Sequence, residues 1–397
     1  RDYVIDAFNS DKPYDRFLIE QLAGDELVDY ANVPRVTDEI VEQLIATGFL
    51  RMGIDETGSR TMNFVPERLK VISDALSVVS SGLMGLTLEC ARCHSHKYDP
   101  IPIRDYYRLK AVFQGALDEH DWDSFKTRKL VVATPEHRRR AEETNPPLQA
   151  ELKRLQSRQK ELTNTLRLEL LRFHYSNQSE DDNGATLTAL KKADNNRTLK
   201  QKMLVERLSR AELMPDSRQP ERVLEIRSML AEVDQKIDRT RRKMVPSLSI
   251  RALWDQGRPS PTYILRRGEH NKPGDLVGPG VPSVLTDGKT PFVATPPFPD
   301  GSPKTGRRFA FAKWLTDRQN PLTARVAMNH LWLRHFGRAI VPTVNDFGAA
   351  GRDPTHPALL DWLACEFVES GWDIKHVIRL IVTSETYRQS SEAPPGN

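Results

Sequence analysis

Apolar residues recur at alternating intervals of four and three from Val65 through Leu69, Ile72, Leu76, Val79, Leu83 and Leu86 to Cys90. That spacing predicts an α-helix with one buried seam, with Cys90 closing the stripe at its foot. Pro100 and Pro102 then break the helix. A second helix is predicted from about Arg104 to Gly115, with Tyr106, Leu109, Val112 and Phe113 facing inward. Upstream, Val4, Ile5 and Phe8, then Phe17, Leu18 and Leu22 after Pro13, read as helical pieces without a beginning. This reading takes the chain as a fragment.

Between about Glu136 and Val245 the pattern becomes heptad-like. Leu148, Leu152, Leu155, Gln159, Leu162, Leu166, Leu170 and Phe173 form one seam, and Val223, Ile226, Leu230, Val233, Ile237, Thr240 and Met244 another. An antiparallel helical hairpin buries the two against each other, with the polar stretch from Ser176 to Arg197 at its tip. A shorter helix from Leu199 to Leu213, ended by Pro215, belongs to the tip or to the second arm. From Leu248 to Pro299, short runs punctuated by Pro and Gly predict a small β unit. Its strands are Ile250–Trp254 and Thr262–Arg266, while Lys272–Asp275 reads as an irregular connection. Helices return from Thr305: one opened by Asn320 and Pro321 and stopped at Gly337, one from Pro357 to Ser370, and one capped by Asp373. Four of the six tryptophans, Trp314, Trp332, Trp362 and Trp372, fall there, which predicts an aromatic core, and Cys365 is placed on an inward helix face.

The fold expected is therefore mainly α: a multi-domain helical protein with a long antiparallel hairpin and a small β-rich unit. The predicted divisions are 1–120, 121–246, 247–304 and 305–397. Composition adds exclusions. With 38% apolar and 28% charged residues the chain is polar, and no run approaches the roughly 18 apolar residues of a membrane span. A net charge of +4 without a concentrated basic face gives no strong nucleic-acid signal. The densest run, Arg239 to Lys243, reads as a solvated helix face.

The candidate chemistry lies at Cys90-Ala91-Arg92-Cys93-His94, the C-x-x-C-H spacing of covalent c-type haem attachment. Two thiols at that spacing add across the porphyrin vinyl groups, and the histidine that follows ligates the iron on its proximal side. Two other readings stay open. With His96 the group makes a compact Cys/His zinc set, though adjacent Cys93 and His94 crowd a tetrahedral site. Alternatively the thiols are structural, as a disulfide or as reduced side chains. For a second axial ligand the candidates are His96, Met84, His120 and His335, followed by His330, His356 and His376. No triad, phosphate loop or H-E-x-x-H helix occurs, so an enzymatic role is left open.

Leu88 to Pro102, followed by Arg104-Asp105-Tyr106-Tyr107, resembles the end of the first conserved domain of planctomycete cytochrome-type proteins. Asn320 to Val326, His335-Phe336-Gly337-Arg338, Asn345-Asp346-Phe347-Gly348 and His356-Pro357 resemble the second, the PSD domain. These are the domains of unknown function 1549 and 1553. The resemblance covers most of 1–120 and 248–397 and implies a large exported protein with haem-binding signatures and no settled reaction. It strengthens haem c at Cys90, Cys93 and His94 and, with the haem reading, implies an extracytoplasmic location (periplasm or cell surface); electron transfer with a redox partner protein follows from the haem reading alone. The other function class carried forward is a non-redox scaffold or carbohydrate-associated binding protein with a structural Cys/His cluster.

Overall fold

The computed structural model describes residues 1–34, 36–133, 135–174, 185–186, 188–190, 198–212, 220–246, 249–299 and 302–390. The chain is mainly α, as its periodicity predicts, and has two compact units: Arg1–Thr134 with Leu248–Asn397, and Pro135–Ser247. Residues 1–120, 248–304 and 305–397 thus lie within one unit.

The larger unit begins with α1 (Asp2–Asn9), α2 (Tyr14–Ala23) and α3 (Asp38–Ala46). The predicted helical piece at Val4, Ile5 and Phe8 is α1, whose buried face is Tyr3 and Ala7, whereas Val4, Ile5 and Phe8 are exposed. Thr37 caps α3 by accepting the Ile40 N–H at 3.3 Å. Next come α4 (Val65–Met84) and α5 (Ile103–Phe113), whose predicted inward residues Leu69, Ile72, Leu76, Val79, Tyr106, Leu109, Val112 and Phe113 are all buried. They share one hydrophobic cluster with Leu18 and Leu22 of α2 and with Phe311 and Leu315 of α9 (Arg307–Leu315). Helices α10 (Thr323–Phe336), α11 (Pro357–Glu369) and α12 (Ile374–Thr383) build a second cluster around Phe367, Trp372 and Val377.

The C-terminal boundaries follow the cap chemistry. Helix α10 opens two residues later than predicted, with Leu322 rather than Asn320 at the N-cap position and Pro321 outside the helix, although Asn320 Oδ1 accepts the N–H groups of Leu322 and Thr323 at 3.0 and 3.2 Å. Gly337, at φ 72°, ends it, and Asp373 Oδ1 caps α12 through the His376 N–H at 2.9 Å. The aromatic payload is divided: Trp372 is buried, Trp314 packs on the first cluster and Trp362 is exposed. Cys365 is exposed too, on the helix face opposite Leu360, Ala364 and Phe367 rather than inward.

The β structure is sparser than predicted. β1 (Leu130–Val131) pairs antiparallel with β2 (Ser249–Ile250), and β3 (Thr262–Leu265) with β4 (Pro273–Val277). The predicted strand to Trp254 ends at Ile250 because Ala252 and Leu253 are fully buried side chains in irregular backbone, not alternating strand positions. Pro273 to Asp275 is strand rather than loop. The proline sits at the first position, where its missing N–H takes nothing from the ladder.

In the smaller unit, α6 (Pro135–His174) and α8 (Glu221–Lys243) form the antiparallel pair. Leu152, Leu155, Leu162 and Leu166 pack against Ile226, Leu230, Val233 and Ile237, and Leu170 against Val223. Near the open end, Pro146 and Pro147 remove two helical donors from α6, and Asn145 compensates by exchanging two hydrogen bonds with the Val245 backbone, at 2.9 and 3.0 Å. The helix α7 (Leu199–Glu212) packs on α6. The predicted polar tip lies mostly outside the described residues, and so does Pro215.

Candidate functional site

The turn that carries the two cysteines is set up by where α4 stops. Gly85, at φ 62°, adopts the left-handed conformation, the Leu86 N–H bonds back to Ser80 O at 3.0 Å and the Gly85 N–H to Ser81 O at 3.1 Å. A Cβ on Gly85 would lie 2.7 Å from the Phe347 ring, and the Phe347 N–H bonds to Gly85 O at 2.7 Å. Glycine is therefore required both by its dihedral angle and by the close approach of the 347 loop.

The chain resumes as a 3-10 turn, Leu88–Arg92. Residues three apart share a face in that conformation. Leu88 and Ala91 point into the core, which leaves Cys90 and Cys93 together on the outer side, both exposed and both free thiols. The helical period predicts a buried Cys90. The change of period from 3.6 to 3.0 after Gly85 reverses that. The Arg92 carbonyl, between the thiols, accepts the Tyr107 hydroxyl from α5 at 2.8 Å.

The two histidines that follow are placed differently. His94 is exposed, and its Nδ1 bonds to the Ser95 carbonyl at 2.8 Å, so the ring carries its proton there and Nε2 is left for other use. His96 has a side chain only 4% exposed. Its Nδ1 accepts the Asp99 N–H at 2.9 Å and its Nε2 meets Thr87 Oγ1 at 3.1 Å, which assigns the proton of the neutral ring to Nε2. Asp99, also buried, accepts the Ala349 N–H at 2.6 Å, and Gly348 leaves no room for a side chain beside that carboxylate. Ser95 Oγ accepts the Ile103 N–H at 3.2 Å at the start of α5. The loop from Ser95 to Pro102 is thus tied at one end to Thr87 and to the start of α5 and in its middle to the 349 backbone.

Cys90, Cys93 and His94 are gathered on one surface turn. The candidates for a second axial ligand are not. Met84 is fully buried in the first cluster beneath the Gly85 stop. Both ring nitrogens of His96 are engaged. His120 follows Glu119, whose carbonyl accepts from Arg68 in the first turn of α4, and a rise of 1.5 Å per residue puts about 25 Å between Arg68 and Met84. His335 bonds Leu331 O through Nδ1 at 2.8 Å and lies edge-on to Tyr387. Among the described residues no group of three or more His, Cys, Asp or Glu is arranged to hold a metal ion.

Other neighbours of the turn escape a reading of local spacing. Gly268, at φ 73°, ends a 3-10 turn that begins at Arg266, and a Cβ there would lie 2.8 Å from Cys93 Sγ. The β3–β4 connection therefore rests on the second thiol. It brings the exposed Arg266 and Arg267 to the neighbourhood of Arg92. The signal in the sequence is Arg267-Gly268 at the end of a strand, a turn signature that does not say what it packs against.

No helix among the described residues is long and apolar enough to cross a membrane. Comparison with curated proteins and with solved structures found no match. Family comparison found two. Residues 1–118 match the family described as PSCyt2, Protein of unknown function (DUF1549), and residues 307–397 match PSD1, Protein of unknown function (DUF1553). The chain therefore carries both domains that its motifs resemble, and the cysteine turn lies within the first.

Proposed function

We propose that Cys90 and Cys93 attach a c-type haem with His94 as proximal ligand, and that the chain transfers electrons to or from a redox partner protein. In this reading it works outside the cytoplasm, within a larger redox or polysaccharide-processing system. The observation that carries the proposal is the shared outward face of the two free thiols beside a histidine whose Nδ1 is held by a backbone carbonyl. A histidine fixed through one nitrogen presents the other as a ligand in a set orientation. The residues therefore fit the attachment half of a haem site. Bound haem would supply one-electron chemistry. The protein's own part is to hold the thiols through Leu88 and Ala91 and to place arginines near them at 92, 266 and 267.

The test is expression in a host with c-type maturation machinery, followed by a pyridine haemochrome assay. One covalently bound haem per chain is expected, lost in the Cys90→Ala/Cys93→Ala variant. A colourless protein with both thiols titratable overturns the reading. That outcome favours the alternative, a non-redox scaffold or carbohydrate-associated binding protein, in which His96 and Asp99 tie the loop to Thr87 and Ala349 by hydrogen bonds alone.

A further inference from the structure

The face around the cysteine turn carries arginines that the protein leaves without partners. Arg92 lies between the two cysteines in the chain, Arg104 and Arg108 stand one turn apart on α5, and Arg266 and Arg267 follow β3. Glycines let these positions close into one surface. A Cβ on Gly268 would lie 2.8 Å from Cys93 Sγ and 3.8 Å from Arg92 Cγ, and one on Gly274 would lie 3.8 Å from Arg266 Nε. Arg108 lies across Gly280 and, with Arg104, lines a groove of about 320 Å³ that also includes Asp275 and Leu276. Among the described residues none of these guanidinium groups has an ion pair or a hydrogen bond. Arg16 and Arg325, also in the larger unit, are by contrast held by Glu20 and Asp361 at 2.8 and 2.7 Å. The neighbouring acids do not balance the face: Lys272 takes Glu269 at 2.6 Å, which leaves Glu89 and Asp275. Arg267 stands at φ 55°, a left-handed position where glycine or asparagine is less strained, so its charge is added to this face at a backbone cost.

We infer that this face docks an acidic protein surface. In the haem reading, on which the partner's redox role alone rests, that surface belongs to the protein that exchanges electrons. A guanidinium fork takes a carboxylate with two parallel hydrogen bonds, and arginine, unlike lysine, is enriched where proteins meet. Tyr98 and Leu276, 61% and 64% exposed, add the aromatic and apolar contacts of such an interface. An aliphatic side chain in the groove serves a protein surface and does little for a charged sugar chain. Unpaired charge of one sign attracts its complement over about 8 Å at physiological salt and raises the rate of encounter. Docking here sets the partner against the cysteine turn, since Gly268 rests on Cys93.

The experiment is titration of fluorescently labelled polyglutamate with the whole chain, read by anisotropy and repeated with and without haem attached. Saturable binding that weakens as salt rises is expected. Arg104→Gln/Arg266→Gln/Arg267→Gln, which leaves the packed Arg92 and Arg108 in place, is expected to bind at least tenfold more weakly with its circular dichroism unchanged. Arg104→Gln alone is expected to lose about threefold, one part of that total. Arg239→Gln/Arg242→Gln/Lys243→Gln, which removes the same charge from the exposed end of α8, is expected to lose less than threefold. No saturable binding, or equal losses in the two triple variants, overturns the inference. Polygalacturonate bound through the same arginines at least tenfold more tightly than polyglutamate also overturns it, and assigns the face to an acidic polysaccharide. Binding retained in a chain that attaches no haem overturns the redox reading and leaves the docking face standing, while attached haem without binding does the reverse.

Discussion

Nδ1 of His94 bonds to the Ser95 carbonyl and leaves Nε2 free, whereas both nitrogens of His96 are taken, by the Asp99 N–H and by Thr87 Oγ1. Two residues apart, they differ because Leu88 and Ala91 turn the cysteine segment outward while Ile101 O, which accepts the His96 N–H at 2.8 Å, draws the chain back in. The consequence separates a structural role from a ligating one. Replacing His96 by alanine leaves the Asp99 N–H and the Thr87 hydroxyl without partners in a nearly closed space, a cost of about 1–3 kcal/mol. Urea denaturation should show that loss, and the absorption spectrum of the matured protein should stay as it was. His94→Ala should do the reverse, with stability within about 0.5 kcal/mol of the parent, as for an exposed site, and an altered spectrum. A spectral change in His96→Ala would show that His96 Nε2 serves the proposed haem rather than bonding Thr87 Oγ1.

At the scale of elements, what the sequence displays is local. The seam of α4 from Leu69 to Val79, the inward face of α5 and the leucine register of the hairpin all follow from spacing within one helix, and each is found as predicted. The stop at Gly85 hides among apolar residues that continue the same rhythm, so Cys90 is misread as buried. Strand partners are hidden for another reason. Leu130 pairs with Ile250 across the entire hairpin, and two-residue strands carry no alternation to detect. The same limit applies at the site: C-x-x-C-H is legible as a spacing, whereas Gly268 and Tyr107 reach the turn only through tertiary packing. The β1–β2 pair has its own consequence. Antiparallel partners lie about 5 Å apart, so the chain leaves the larger unit and returns to it at neighbouring points. Replacing residues 135–247 by a linker of about five residues should therefore yield a folded protein with the same near-ultraviolet circular dichroism from its tryptophans. Its midpoint in urea should match the parent's larger unit, and a molten product with a broad transition would show that the hairpin is needed for that unit to fold.

Over the whole molecule, the two family-matched segments share the first interior, while the second cluster belongs to the C-terminal segment. The first hydrophobic cluster contains both Leu22 and Phe311, and beside it Arg308, fully buried, binds Asp25 at 2.7 and 2.8 Å and Asp255 at 2.9 Å. Lys304 adds a bond to Asp25 at 2.9 Å, and Glu26 accepts the Phe309 N–H at 2.7 Å. Burial alone would raise the Asp25 pKa, but Arg308 and Lys304 outweigh it and hold the carboxyl well below its ordinary value of 3.8. For Glu26 burial dominates: with Asp255 and Asp25 close by, its pKa stands well above 4.5 despite Arg308. A protonated Glu26 leaves two cations facing two anions, which balances the cluster. The signs then oppose each other. Asp25 contributes stability that is present above pH 4 and lost as pH falls toward its depressed pKa, because the unfolded chain takes up the proton first. Glu26 contributes stability that is present below pH 4.5 and lost as pH rises toward and through its raised pKa, because the unfolded chain releases the proton first. Glutamine keeps the acceptor for the Phe309 N–H and offers Asp255 a permanent donor. Glu26→Gln should therefore exceed the parent in stability at pH 8. Urea midpoints from pH 3 to 8 should show the alkaline decline reduced in the variant and the acid-side loss retained. A variant that is less stable at pH 8, or that declines as steeply as the parent, would show Glu26 to be ionised in the folded protein. Arg308→Met removes the shared cation and strands Asp25 and Asp255, which should cost about 3–5 kcal/mol at pH 7 and loosen the N-terminal and C-terminal segments together.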